Sequence, residues 1–220
     1  MRGGPLAALA ALFLAVPGSS QELTVPELQR KIREQDKTLS SAQFEYVQEM
    51  RSSQSPEVVR SKGRAYYRKP QMLRIEQESP ERQIIVTRGK DVFIHTPRFN
   101  QVLKDSWKNW SRKNSFLPGL FGSSGTLERL EKDYTWKMEN SEDLNGEETV
   151  VVRLKSAVKG AGDGLTLWLG AGDFVPRKAL VESEGWSLAT SLLSLKLNTA
   201  LDPGLFIFAL PRGAAVIKVP

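Results

Sequence analysis

Residues 41–48 read Ser-Ala-Gln-Phe-Glu-Tyr-Val-Gln, and they decide the fold. Ala42, Phe44, Tyr46 and Gln48 alternate with Gln43, Glu45, Val47 and Glu49. That period of two marks a half-buried strand. Downstream, a polar loop is expected over residues 51–57. Strands are then expected over 58–68, 72–76, 83–87, 92–96 and 101–104. Lys69-Pro70 and Ser79-Pro80-Glu81 punctuate them, and Pro97 to Asn100 makes a further turn. Arg88-Gly89-Lys90-Asp91 is a hairpin turn with Gly available for the left-handed position. Short strands with turn signals roughly every 8–12 residues argue an antiparallel meander rather than a βαβ pattern.

Further along, residues 107–132 interrupt the alternation. Trp107, Trp110, Phe116, Leu117, Leu120 and Phe121 stand there among Pro118, Gly119, Gly122 and Gly125. This stretch reads as an apolar, partly helical excursion, with a short helix over 127–132. The meander resumes at 134–138 and continues at 150–155, 165–169, 177–182, 192–198 and 205–208. Asn145-Gly146 supplies another hairpin turn.

Upstream of residue 41, Thr24 and Glu27 have capping-box spacing, with Pro26 tolerated in the first turn. Leu28, Ile32 and Leu39 recur at helical spacing, so a helix is expected over 25–39. Before it, Arg2 precedes the apolar run Leu6 to Val16, which Pro17-Gly18-Ser19-Ser20 breaks. These are the three parts of a secretory signal cut after Ser20. The apolar run is shorter than the roughly 20 residues that a membrane anchor needs. Residues 21–220 are then expected to form one domain outside the cytoplasm. With no cysteine in the chain, that domain holds itself without disulfides and carries no lipid on an N-terminal Cys.

The chain carries 31 Lys and Arg against 25 Asp and Glu, net +6. The excess is spread along the sequence, without the concentrated stripe of a nucleic-acid reader. A positive body suits anionic membrane surfaces or acidic protein patches.

Catalytic constellations are hard to assemble. His95 is the one histidine, so any His-based triad has to use it. Zinc sites usually need His/Cys clusters. Asp163 and Asp173 lack the spacing of a calcium loop. Gly122-Ser123-Ser124-Gly125 is not followed by the Lys-Ser/Thr of a phosphate loop. Glu76, Glu78 and Glu81 could pair for glycoside chemistry, though such loop charges are usually solvated. The expectation is no catalytic residue, no metal and no cofactor. What remains is apolar supply, either ordinary core or the lining of a cavity under a curved sheet. Such a cavity would take acyl chains without directional bonds, each buried CH₂ contributing roughly 0.8 kcal/mol.

Four pieces resemble the LolA family of periplasmic lipoprotein carriers. They are Ser41 to Gln48; Gly63-Arg64-Ala65-Tyr66-Tyr67-Arg68-Lys69-Pro70 with Leu73-Arg74-Ile75; Ile84 to Phe93 with Pro97 and Gln101-Val102; and Phe206-Ile207-Phe208-Ala209-Leu210-Pro211-Arg212-Gly213. The resemblance implies a mainly β fold: a strongly curved, incomplete antiparallel barrel whose short helices form a lid over a hydrophobic cavity. It implies that Phe44, Tyr46, Tyr66, Leu73, Ile75, Ile85 and Phe93 line the sheet side, and that Phe116, Leu117, Leu120 and Phe121 belong to the lid. The family's latch is an Arg immediately before the Pro matching Pro70. Here Lys69 stands there, preceded by Arg68. Lys lacks the planar five-donor fork, so the latch is expected to be weaker or built differently.

The implied function is a monomeric carrier in the periplasm, not an enzyme. Its partners would be the acyl chains of lipid-modified proteins, an inner-membrane ABC release complex and an outer-membrane acceptor. Nucleic acid is not expected. The rival reading is a lipid-binding periplasmic sensor of envelope stress on the same half-barrel.

Overall fold

The computed structural model describes residues 23–113, 126–157 and 164–219. The secretory signal expected at 1–20 and the expected lid residues Phe116, Leu117, Leu120 and Phe121 lie outside the described residues.

Helix α1 (Val25–Thr38) starts where the capping residues place it. The Glu27 carboxylate accepts from the Thr24 amide at 2.9 Å and from its hydroxyl at 2.7 Å. These bonds hold the Glu27 carboxyl below its ordinary pKa. Strands β1 (Ser41–Ser52), β2 (Ser55–Arg68), β3 (Met72–Ser79), β4 (Gln83–Arg88), β5 (Asp91–Thr96) and β6 (Gln101–Ser106) follow as an antiparallel meander. Helices α2 (Trp107–Lys113) and α3 (Thr126–Asp133) form the two ends of the 107–132 stretch. The sheet resumes with β7 (Tyr134–Met138), β8 (Glu142–Leu144), β9 (Glu147–Ser156), β10 (Gly164–Gly170), β11 (Pro176–Ser183) and β12 (Trp186–Leu197). Strand β13 (Ala215–Lys218) ends the fold.

All of these strands form one sheet. Its order is β13-β6-β5-β4-β3-β2-β1-β12-β11-β10-β9-β7, with β8 beside β9. Strands β13 and β7 do not meet, so the curved sheet is an incomplete barrel. Strand β1 sits inside it, paired with β2 along one edge and β12 along the other.

Three expectations need correction. Residues 51–57 are not a loop. Strands β1 and β2 run on to a two-residue turn, Ser53-Gln54. The tip of this hairpin projects past the core and is solvated on both faces, so it needs no apolar alternation. Glu49 and Arg60 pair across it at 2.9 Å. Residues 205–208 do not form a strand. Asp202 accepts from the Gly204 amide at 2.9 Å and starts a 3-10 turn over Pro203–Phe206. An extended run follows outside the ladder. The true last strand, β13, pairs with β6 in parallel, which a meander does not foresee.

Two backbone devices adjust the register. Between Gln43/Lys196 and Glu45/Leu193, β12 has one more residue than β1, and Ser194 there adopts a positive φ of 52°. This bulge turns Leu192, Leu195 and Leu197 to the same side. In β2, Gly63 lets β3 approach closely. A Cβ there would lie 2.2 Å from the Glu76 carbonyl oxygen. Gly63→Ala should therefore cost roughly 1–3 kcal/mol, the range for overpacked sites. Urea denaturation reads this directly, and an unchanged midpoint would contradict the close approach.

Candidate functional site

Cross-strand pairing decides which side chains share a face. On the inner face, Leu39, Ala42, Phe44, Tyr46, Ala65, Tyr67, Leu73, Ile75, Val92, Trp110, Val175 and Leu192 form one buried cluster. Ile85, Ile94, Trp107, Leu195 and Leu197 pack against it but stay partly open. A second cluster under α1 and α3 contains Leu28, Val152, Leu154, Leu167, Leu169 and Ala179. Ala179 lies opposite Thr190, which is two residues from Leu192, so both clusters belong to the same face. The inner surface is therefore apolar across much of the sheet. Helix α1 covers one half through Leu28 and Ile32. Helix α2 meets the other half through Trp107 and Trp110, whose rings lie 5.7 Å apart.

Of the expected sheet-side residues, the structure brings together Phe44, Tyr46, Leu73, Ile75 and Ile85. It does not place Tyr66 and Phe93 with them. Tyr66, Arg74, Val86, Phe93 and Lys104 form a cross-strand row on the outer face. The C-terminal segment covers that row. Phe208 stacks on Phe93 at 4.8 Å, and the Leu205 carbonyl accepts from Arg74 at 3.2 Å. The inner tyrosine of the Tyr66-Tyr67 pair is Tyr67. The signal for it was the small pair Gly63 and Ala65, which share its parity and let the sheet curve. Strand β5 is apolar on both faces, so its parity is not legible from Val92, Phe93 and Ile94 alone.

The two latch candidates separate. Lys69 Nζ donates to the Asp36 backbone carbonyl in the last turn of α1 and lies 3.3 Å from the Asp36 carboxylate. The Lys69 amide also donates to Ser40 at 2.9 Å. Arg68 instead donates to the Met72 sulfur and sits 5.1 Å from the Phe206 ring centre. It braces the C-terminal segment on the outer face. A second contact ties α2 to the sheet, where the Trp107 amide donates to the Lys90 carbonyl at 2.8 Å.

The carboxylates considered for catalysis do not converge. Glu76 pairs with Arg74, Glu78 with Lys62 and Arg64, and Glu81 with Arg98. Among the described residues no three His, Asp or Glu side chains gather to hold a metal. His95 is half-buried in β5. The outer face also holds a cleft of about 380 Å³ floored by Trp168, Thr166 and Leu180. Its rim is charged, with Glu139, Glu142, Arg153 and Glu182, unlike the inner face.

These features define a class: an open, curved antiparallel sheet whose apolar inner face lies under short helices. The family model for the outer membrane lipoprotein carrier protein LolA matches residues 37–209. The chain belongs to the LolA family. An outer-membrane lipoprotein carrier protein of Glaesserella parasuis is 27% identical over 209 residues, 94% of this chain and 91% of that protein. An uncharacterized conserved protein of Thermus thermophilus has the same fold, with a TM-score of 0.58 at 13% identity, over 88% of this chain and 98% of that one. MucB matches with a TM-score of 0.55 at 14% identity, over 84% of this chain and 62% of MucB.

The buried phenols provide a check on the inner face. Burial, with a smaller contribution from Glu78, pushes Tyr46 up to about 12. Burial and then Asp36 raise Tyr67 as well. In the unfolded chain both ionise near pH 10. The folded values lie above the unfolded ones, so this stabilisation is complete below about pH 10 and is lost as pH rises through the folded values. Urea midpoints should hold to about pH 10 and then fall. Tyr46→Phe should blunt the fall, and a midpoint that falls equally with Tyr46→Phe would contradict the assignment.

Proposed function

We propose that this protein is a periplasmic carrier for the acyl chains of lipid-modified proteins. The observation that carries the reading is the continuous apolar inner face, partly open at Ile85, Ile94, Trp107, Leu195 and Leu197. An acyl chain needs no directional partner there. Burying about sixteen carbons contributes on the order of 10 kcal/mol before the costs of binding. No helix among the described residues is long and apolar enough to cross a membrane, and the signal read at residues 1–20 would export the chain. Donor and acceptor are, on this reading, an inner-membrane ABC release complex and an outer-membrane acceptor. Net transfer requires graded affinities between them.

Lys69 is the residue we assign to the closed state. It holds the end of α1 through a backbone carbonyl, a contact that one cation can make without the guanidinium fork. Opening then means breaking the polar contacts at Lys69 and at the Trp107 amide and lifting helix side chains such as Trp110 off the inner face, while the strand ladders stay intact.

A second reading, a periplasmic lipid sensor on the same half-barrel, would use the same apolar inner face without releasing cargo. Spheroplasts displaying newly made lipoproteins, incubated with purified residues 21–220, separate the two. A carrier releases triacylated cargo into the soluble fraction as a one-to-one complex. Ile85→Glu on the inner face should reduce release at least tenfold. Phe93→Ala on the outer face should lower the melting temperature yet keep most of the release. Lys69→Ala should loosen the closed state and load cargo with less discrimination, and Lys69→Arg should restore it. No release by the wild type, with lipid binding retained, would move the sensor to first place.

A further inference from the structure

We infer that one arc of the barrel rim docks on an anionic phospholipid surface. The strand register defines two ends of the sheet. At one end lie the start of β1, the end of β2, the start of β3, the β4–β5 turn and the end of β6. The last turn of α1 and the first turn of α2 are joined to that end by chain connectivity and by the Trp107–Lys90 backbone bond.

Three exposed lysines gather on this arc. Lys37 ends α1, Lys90 sits in the β4–β5 turn and Lys108 begins α2. None of them has a carboxylate partner among the described residues. Of the nearby carboxylates, Asp36 is engaged by Lys69 and Asp91 by Lys104 at 2.8 Å, while Asp105 is buried and accepts from the Ser106 amide at 2.7 Å. Trp107, next to Lys108 in the chain, is half-buried and packs against the inner cluster.

The rest of the rim differs. The opposite end carries mixed charge at Glu57, Glu81, Arg82, Arg98 and Glu184. On the same end as the lysines, the β8–β11 side is acidic at Asp143, Glu147, Glu148 and Asp173 around Arg177. The basic arc is thus local, and the acidic arc beside it fixes a tilt. The β1–β6 side faces an anionic surface and the β8–β11 side turns away.

A bilayer fits this arc better than an acidic protein because of what lies behind it. The arc borders the partly open end of the apolar inner face, where Trp107 lies between lysine and core. Amphipathic Trp favours the headgroup level. Lysines at that level add a short-range electrostatic attraction. An acyl chain leaving a membrane would then meet the groove without crossing open water. The inference builds on the carrier reading and adds a contact with the lipid surface itself.

Vesicle co-sedimentation tests it, using residues 21–220 with phosphatidylcholine vesicles containing or lacking phosphatidylglycerol. Each surface lysine is worth about fivefold in partition. The triple change Lys37→Gln, Lys90→Gln, Lys108→Gln should therefore cut binding to anionic vesicles about 100-fold. A charge-matched control, Arg82→Gln, Lys132→Gln, Lys155→Gln, should keep it. Binding by the wild type should fade toward 1 M salt, where screening reaches about 3 Å. Circular dichroism and binding of a fluorescent acyl probe should be the same in all three proteins. No preference for anionic vesicles, or equal loss in both triple variants, overturns the inference. So does loss confined to binding an acidic protein. Wild-type failure to bind the acyl probe would overturn the carrier reading instead.

Discussion

Strand β1 is held along both edges, and its register determines what each face of the sheet becomes. Ala42, Phe44, Tyr46 and Gln48 point inward because β2 and β12 pair with it in one alignment. A slip of one residue would send Glu45 and Val47 inward and Phe44 and Tyr46 out. The bulge at Ser194 and the close approach at Gly63 keep that alignment while the sheet curves. Without the bulge, Leu195 and Leu197 would exchange faces with Ser194 and Lys196. The apolar inner surface thus depends on backbone geometry at positions that bind nothing.

The two faces are covered in different ways, and the difference suits a carrier. On the outer face the cover is tight: Phe208 lies on Phe93, Phe206 is buried beneath Arg68, and Val86 is fully enclosed. On the inner face the cover near β3–β6 is made of short helical pieces. The sheet's own hydrogen bonds do not include them. They are tied through Lys69 to a carbonyl of α1 and through the Trp107 amide to the β4–β5 turn. Such elements lie outside the ladders that join neighbouring strands, so opening there costs less than breaking a strand pair.

Much of this fold was legible in the sequence. The helix over 25–38 announced itself through Thr24 and Glu27, and the hairpins through Gly89 and Asn145-Gly146. The inner-face residues Phe44, Tyr46, Leu73, Ile75 and Ile85 followed from alternation joined to family resemblance. Face assignment failed where both faces are apolar. Val92, Phe93 and Ile94 form one hydrophobic run, because the C-terminal segment covers the outer side of β5. Tyr66 and Tyr67 are adjacent and chemically alike, and the parity rested on Gly63 and Ala65, which do not advertise burial. Strand β13 was missed because a parallel partner more than a hundred residues away leaves no local signal. The projecting β1–β2 tip was missed because two solvated faces carry no pattern at all.

The inner face as the acyl site is the central claim, and cross-linking reads it most directly. A lipopeptide carrying a photoreactive group on its acyl chain would be bound, irradiated and mapped by mass spectrometry. The account predicts adducts on inner-face residues such as Phe44, Tyr67, Ile85, Ile94 and Trp107. Adducts confined to the outer row of Tyr66 and Phe93, or to the Trp168 cleft, would contradict it.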